Sequence, residues 1–470
     1  MGVRRQLLRS ASPCFKSPVM KKDSLLNDYF TKYAAGPPWT LQSGNLEGVD
    51  QVVVIPAYAE KDLLFTTLAS LAANSDTELK KTLILCVINN KTDAPAADKD
   101  NNRQTLDILN ALISRQSFPE FQPADDLLFT IKKIAERPVR LGCIDASTPG
   151  LEIPARTGGV GMARKIGMDM ALHVLKSSVN EPRLMISLDA DTIVGPDYLM
   201  SVRKAMSSGK AQTGIVSYEH RMPEDETGKR AICLYEIFLR YWMLGLQYAS
   251  SPYAFHSIGS TIVTEADAYL AVRGMNRREA GEDFYFLNKL AKIGPIHRIR
   301  ETVVYPSARI SARVPFGTGA AVEKISRDEN SGYDLYDPRV FSILKKWLDL
   351  MSQSFNLSAS RILDMARDID PGLESFLTLR GFKLVWPKIR GNVKDQKTCE
   401  RQFHGWFDGF QTLKLVNYLT ADFYPKVSMI SALKGILEMS DIKYSGSLTV
   451  GGIPKTEDAI SILSYLRMHT

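Results

Sequence analysis

Between Gln51 and about Asp191 the chain alternates between two hydrophobic periods. QVVVIP, from Gln51 to Pro56, is a short, β-branched, uninterrupted apolar run, which predicts a strand covered on both faces. KDLLFTTLASLAANS follows with helical spacing, KTLILCVINN repeats the strand signature, and NRQTLDILNALISRQ is helical again. DDLLFTIKKIA fits either period, GVGMARKIGMDMALHVLKSS has a helical face, and RLMISLDAD returns to strand. Strands alternating with helices predict an α/β fold, its sheet covered on both sides. Ligands in such sheets sit at the carboxyl ends of the strands, so PAYAE, INNKTD and DADT are where chemistry is expected.

The ends read differently. Residues 1–48 mix basic residues with turn formers, as in AAGPPWTLQSGNLEG, and are expected to form a lead-in arm. Residues 49–330 make the α/β domain, and 331–470, with RVFSILKKWLDLMSQSF and RQFHGWFDGFQTLKLVNYL, are expected to form a helical region. A chain of 470 residues has room for such a division.

Composition narrows the classes. With 44% hydrophobic and 24% charged residues the chain is globular, neither disordered nor fibrous. The richest apolar stretch, AICLYEIFLRYWMLGLQYASSPYAF, contains Glu236 and Arg240, so it reads as a buried or interfacial helix and not a membrane span. MGVRRQLLRSASPCFKS is basic without the apolar core of a secretion signal, which points to the cytoplasm. Five cysteines without CxxC spacing suggest reduced packing residues. A net charge of +7 suits anionic small substrates or an acidic membrane surface, and lacks the dense basic patch that nucleic acid requires.

Asp189 and Asp191 stand one residue apart just past a predicted strand. They can aim oxygen ligands at one divalent cation, Mg²⁺ or Mn²⁺, with waters and phosphate oxygens completing its shell. Two acids at a strand end also fit a plain turn, where Asp bonds its own backbone.

VVVIPAYAE, GVGMARKIGMDMAL, SLDADT and AGEDFYFLNKL occur in that order from Gln51 to Arg313. Together they resemble the family-2 glycosyltransferases of the GT-A fold. The resemblance implies a Rossmann-like mixed sheet flanked by helices, with the helical C-terminal region as an addition. It implies a nucleotide-diphospho-sugar donor (UDP- or GDP-sugar), a glycan or lipid-linked acceptor, and Mn²⁺ or Mg²⁺ held by Asp189 and Asp191. Pro56, Ala57, Tyr58 and Glu60 match the stretch that cradles the nucleoside, with Ala59 where the family has Asn. Asn89 and Asn90 replace the acids that commonly end the second strand; an amide also pairs with a base edge, and Asn equally suits a tight turn.

Arg164 and Lys165 fall where the family's helix turns a basic residue toward the donor, though both also suit a solvated helix face. Glu282 and Asp283 open an aromatic helix, a place where acids also complement a helix dipole. By resemblance Asp283 is the general base of an inverting transfer, and Glu282 orients it or the acceptor. Gly259 and Ser260 resemble the segment bordering sugar and acceptor, and Arg313 the basic loop that closes over the diphosphate. His256 is read as a packing residue.

Two other classes stay open. SLDADTIV approaches the haloacid-dehalogenase phosphatase signature but has Ile193 where Thr or Val is wanted, and a binding protein without catalysis would share the scaffold. The C-terminal aromatics with Lys345, Lys346 and Lys414 leave a peripheral membrane face open beside ordinary helix packing. Oligomeric state is not legible.

Overall fold

The computed structural model describes residues 22–116, 125–156, 158–176, 178, 182–209, 211–279, 281–309, 318–327, 333–444, 446, 448 and 454–470. Its strands are β1 (Leu41–Ser43), β2 (Gln51–Ala57), β3 (Thr82–Asn89), β4 (Arg140–Ala146), β5 (Leu184–Ser187), β6 (Ile193–Val194), β7 (Thr213–Tyr218), β8 (Ile262–Glu265) and β9 (Ile296–Tyr305). They join one sheet in the order β1-β4-β3-β2-β5-β8-β7-β9-β6. The half from β4 to β5 is parallel, while β8 runs antiparallel to both β5 and β7. This is the mixed, helix-flanked sheet expected from the sequence, with a helical C-terminal region added.

Side-chain alternation along β2 and β3 divides the core between the two faces. Val53, Ile55, Ile84 and Cys86 pack with the helices Lys61–Ala72, Ala96–Ser114 and Asp125–Ala135. Val52, Val54, Leu83 and Leu85 pack with the helices Val160–Leu175 and Glu282–Leu290. The ambiguous DDLLFTIKKIA is a helix, its Ile131 and Ile134 buried on the sheet. Gly167 lets the Val160–Leu175 helix seat closely, since a Cβ there would lie 2.3 Å from Val54 Cγ1. That seating fixes where the helix's basic residues point.

Part of the arm packs on the same body. Tyr29, in the helix Lys22–Lys32, is buried and donates to Asp169, and β1 pairs antiparallel with β4 to form the sheet edge.

The third core belongs to the C-terminal helices and to the long helix Glu226–Tyr248, inserted between β7 and β8. Several of these helices start at a Ser or Asp whose side chain accepts from the first turn: Ser358, Asp370, Asp395, Asp408 and Ser428. The acid and base inside the apolar run become intelligible here. Glu236 accepts from Arg240 Nε at 2.8 Å and from Arg467 Nε, on the helix Thr456–His469, at 2.9 Å. It also contacts His220 at 2.9 Å. Burial alone would raise the Glu236 carboxyl, but the bonds from His220 and Arg467 outweigh it and hold the group well below the usual range. Among the described residues, no helix is long and apolar enough to cross a membrane.

Candidate active site

Three strand ends and one helix start meet at the carboxyl edge of the parallel half-sheet. Asp189 and Asp191 follow β5, where Thr192 N–H bonds the Asp189 carbonyl at 3.2 Å and Thr67 Oγ1 bonds the Ala190 carbonyl at 2.9 Å. The segment is thus a turn, and its carboxylates leave it toward other elements. Asp189 Oδ1 accepts from Arg164 Nη2 at 2.8 Å, and its Oδ2 accepts from Ser260 Oγ at 2.5 Å. Asp191 Oδ2 lies 3.2 Å from Arg309 Nε, and its carbonyl accepts from Arg221 Nη2 at 2.9 Å. Burial, then the charge of Asp189, pushes the Asp191 carboxyl up to about 6.

Arg164 joins the two acid pairs. From the first turns of the Val160–Leu175 helix its buried guanidinium donates to Asp189, to Glu282 Oε1 at 3.3 Å, to Ser187 Oγ and to the Gly259 carbonyl at 3.5 Å. Burial alone would lower its pKa, but Asp189 and Glu282 outweigh that and raise it. The sequence reading expected Arg164 to serve a donor directly. Its hydrogen bonds are instead spent on orienting acids.

Lys165, one residue on, takes another direction. It is buried against Tyr29 OH at 3.2 Å and Asp169 Oδ2 at 3.1 Å, away from both acid pairs. Adjacent helical residues diverge by about 100°, so only one of the two reaches the site. Lys165 was expected beside the donor together with Arg164; its amine pairs with Asp169.

Glu282 and Asp283 begin the helix Glu282–Leu290, after Gly281 at φ 70°. Glu282 is buried against Arg164; Asp283 is half-buried and accepts from the Phe284 N–H at 2.7 Å. Burial and the Glu282 charge raise the Asp283 carboxyl above the ordinary range. A carboxyl held that way is suited to accepting a proton near neutral pH.

Gly259 and Ser260 lie in the buried turn Gly259–Thr261. A Cβ at Gly259 would stand 2.5 Å from Arg164 Nη2, so the close approach this glycine permits is that of Arg164. Ser260 is fully buried, donating to Asp189 and accepting from Thr192 Oγ1 at 3.1 Å. Both residues, expected at the sugar and acceptor, thus border Arg164 and the Asp189 carboxylate.

On the nucleoside side, Pro56 and Ala57 end β2 in register with Val87 and Ile88 of β3. Tyr58 OH donates to Asp98, and Ala59 takes φ 51° with its N–H on Asn102 Oδ1 at 2.9 Å. Glu60 precedes the helix Lys61–Ala72 and pairs with Arg309. Asn89 is the buried last residue of β3, and the Asn90 amide is occupied by Asn102 Nδ2 at 2.9 Å and by the Lys91 carbonyl at 3.1 Å. Asn90 thus secures the loop.

Arg313 lies outside the described residues. Arg309, four residues before it in the same basic stretch, bridges Glu60 and Asp191 with its side chain 35% exposed. Arg221 was missed, since a loop arginine in EHRMP carries no pattern.

The donor set fits a hard divalent ion shared with a ligand. Asp189 and Asp191 offer only carboxylate oxygens, and their mutual repulsion is what a cation would relieve. Among the described residues, no three Asp, Glu, His or Cys side chains are grouped to hold an ion by themselves. Phosphate oxygens and water would have to complete the shell.

No protein-family model matches the chain, and no curated protein matches it. Among solved structures it is similar to TarS 1-349 of S. aureus in complex with UDP-GlcNAc, at 13% identity and a TM-score of 0.36, covering 71% of this chain and 88% of that one. The same TarS fragment in complex with UDP gives 12% identity and a TM-score of 0.34, covering 87% and 99%. The mannosyltransferase PcManGT from Pyrobaculum calidifontis, in complex with GDP-Man and Mn2+, gives 12% and 0.33, covering 88% and 95%.

Proposed function

We infer that the chain is a glycosyltransferase of the GT-A, family-2 type, moving a hexose from a UDP- or GDP-linked donor to a glycan or lipid-linked acceptor with inversion. The observation that carries this reading is the Arg164 bridge, which holds the acid of a DxD turn at 2.8 Å and the acid of an ED helix start at 3.3 Å. A structural ion pair needs one acid. Two acid pairs from separate elements, gathered at the carboxyl end of a parallel half-sheet, suit a reaction that needs a cation-binding end and a proton-accepting end.

In this mechanism the nucleoside lies along Pro56–Glu60 and Asn89, with the diphosphate at Asp189 and Asp191. Asp189 and Asp191 would hold Mn²⁺ or Mg²⁺, which would supply charge neutralisation for the departing diphosphate. Arg309 and Arg221 are the cations placed beside the same turn. Asp283 accepts the proton of the acceptor hydroxyl as its oxygen attacks the anomeric carbon. Glu282 stays ion-paired and buried, its charge raising the basicity of Asp283. Arg164, Ser260 and Gly259 position Asp189.

The test is thermal stabilisation by UDP, GDP, CMP and ADP, each with and without Mn²⁺, on the parent and on Asp191→Ala. A metal-dependent shift with UDP or GDP, absent in the variant, is expected. No shift with any nucleotide would overturn the reading.

A further inference from the structure

Leu379 and Leu384 are the two most exposed large apolar side chains among the described residues, at 71% and 73%. They sit five positions apart, at the end of the helix Pro371–Leu379 and in the helix Phe382–Gly391. The second helix is well anchored. Phe382 and Trp386 are buried, and Trp386 Nε1 donates to the Leu357 carbonyl at 3.0 Å. With those two residues turned inward, the helical period turns Lys383, Leu384, Pro387 and Lys388 outward, and all four are exposed.

Along this stretch of chain the charge has one sign. From Ser375 to Lys394 there is no acidic residue, while Arg380, Lys383, Lys388, Arg390 and Lys394 are all basic. Lys383, Lys388, Arg390 and Lys394 are exposed. None of these four forms an ion pair among the described residues. Asp395, which closes the stretch, is occupied in accepting from Thr398 N–H at 2.8 Å.

We propose that this face of the Phe382–Gly391 helix is a peripheral docking surface for an anionic phospholipid bilayer, with Leu379 and Leu384 entering the acyl boundary and the flanking cations on the headgroups. Cations alone would suit any polyanion. An apolar centre framed by unpaired lysines suits a surface that is anionic outside and hydrocarbon beneath. The residues differ from Lys345, Lys346 and Lys414, named from the sequence, and the inference stands whatever the catalytic reading.

The test is sedimentation of the full chain with vesicles of phosphatidylglycerol mixed with phosphatidylcholine, and with vesicles of phosphatidylcholine alone. The parent should bind the anionic vesicles only, and less as salt rises. Each cation at such a surface contributes about fivefold in partitioning, so Lys383→Ala with Lys388→Ala should lose about twenty-five-fold. Leu379→Ser with Leu384→Ser should lose about tenfold at unchanged unfolding temperature, since both side chains already face water. The proposal is overturned if the parent ignores anionic vesicles at low salt or the lysine pair makes no difference. It is equally overturned if the leucine pair binds like the parent, for the surface would then be a polyanion site.

Discussion

Replacing Arg164 with methionine tests the bridge on which the site is built. The side chain is buried and donates to two carboxylates, one hydroxyl and one carbonyl. Methionine keeps most of the volume and removes every donor. Breaking a buried pair by removing one partner costs about 3–5 kcal/mol, because the remaining charge stays desolvated. Glu282 carries most of that cost, since its side chain is only 5% exposed, whereas Asp189 at 34% recovers part of its hydration. A loss of about 3 kcal/mol is therefore expected, or roughly a 5–10 °C fall in unfolding midpoint for a unit of this size.

The sign of the pH dependence identifies the cause. The Glu282 carboxyl is raised by burial against the pull of Arg164, so losing the arginine raises it further. A raised folded-state pKa costs stability as pH climbs through it, and nothing once the group is protonated. The gap between Arg164→Met and parent should thus be wide near about pH 8 and narrow toward about pH 5, read by thermal denaturation in matched buffers. Arg164→Lys, which keeps charge without the planar fork, should fall between. An Arg164→Met midpoint within about 1 °C of the parent at both pH values would refute the assignment of Arg164 as the element holding both acids.

Asp283→Asn should keep the nucleotide-dependent thermal shift and lose about 10²–10⁴ in turnover, and in the parent the acid limb of turnover should lie above the ordinary carboxylate range; sugar transfer at the parent rate would exclude Asp283 as the base. Because the Asp191 carboxyl stands at about 6, protons should compete with Mn²⁺ as pH falls through that value, and titration calorimetry across it should show weakening affinity. Ala59 holds φ 51°, a region that Asn tolerates far better than Ala, so Ala59→Asn should stabilise by about 0.5–1 kcal/mol in chemical denaturation. Phe410 of the C-terminal region packs 4.2 Å from Tyr285 and 4.6 Å from Phe284, ring centre to ring centre, the two residues that follow Asp283 in its helix. Phe410→Ala should lower kcat with donor KM unchanged, and an equal loss in both would make the contact plain packing.

Local pattern determined much of this molecule. Largely apolar runs became β2, β3 and β5 because a strand covered on both faces needs apolar residues at nearly every position, a demand written into consecutive letters. The helices between them, and those after Asp337, carry their own 3.6-residue stripes and in many cases their own Ser or Asp caps. The order of the acid pairs was legible for the same reason, since each lies within three consecutive residues. What the chain could not disclose by itself is direction and partnership. Whether Arg164 or Lys165 meets the acids depends on how the helix is rotated when Gly167 seats on Val54, a contact over a hundred residues long in sequence. Gly259 and Ser260 meet Arg164 and Asp189, and Arg309 meets Glu60 and Asp191, because β8 and β9 enter the sheet out of chain order. Periodicity records which way a residue faces along its own element; which charge waits there is decided only when elements far apart in the chain are packed together.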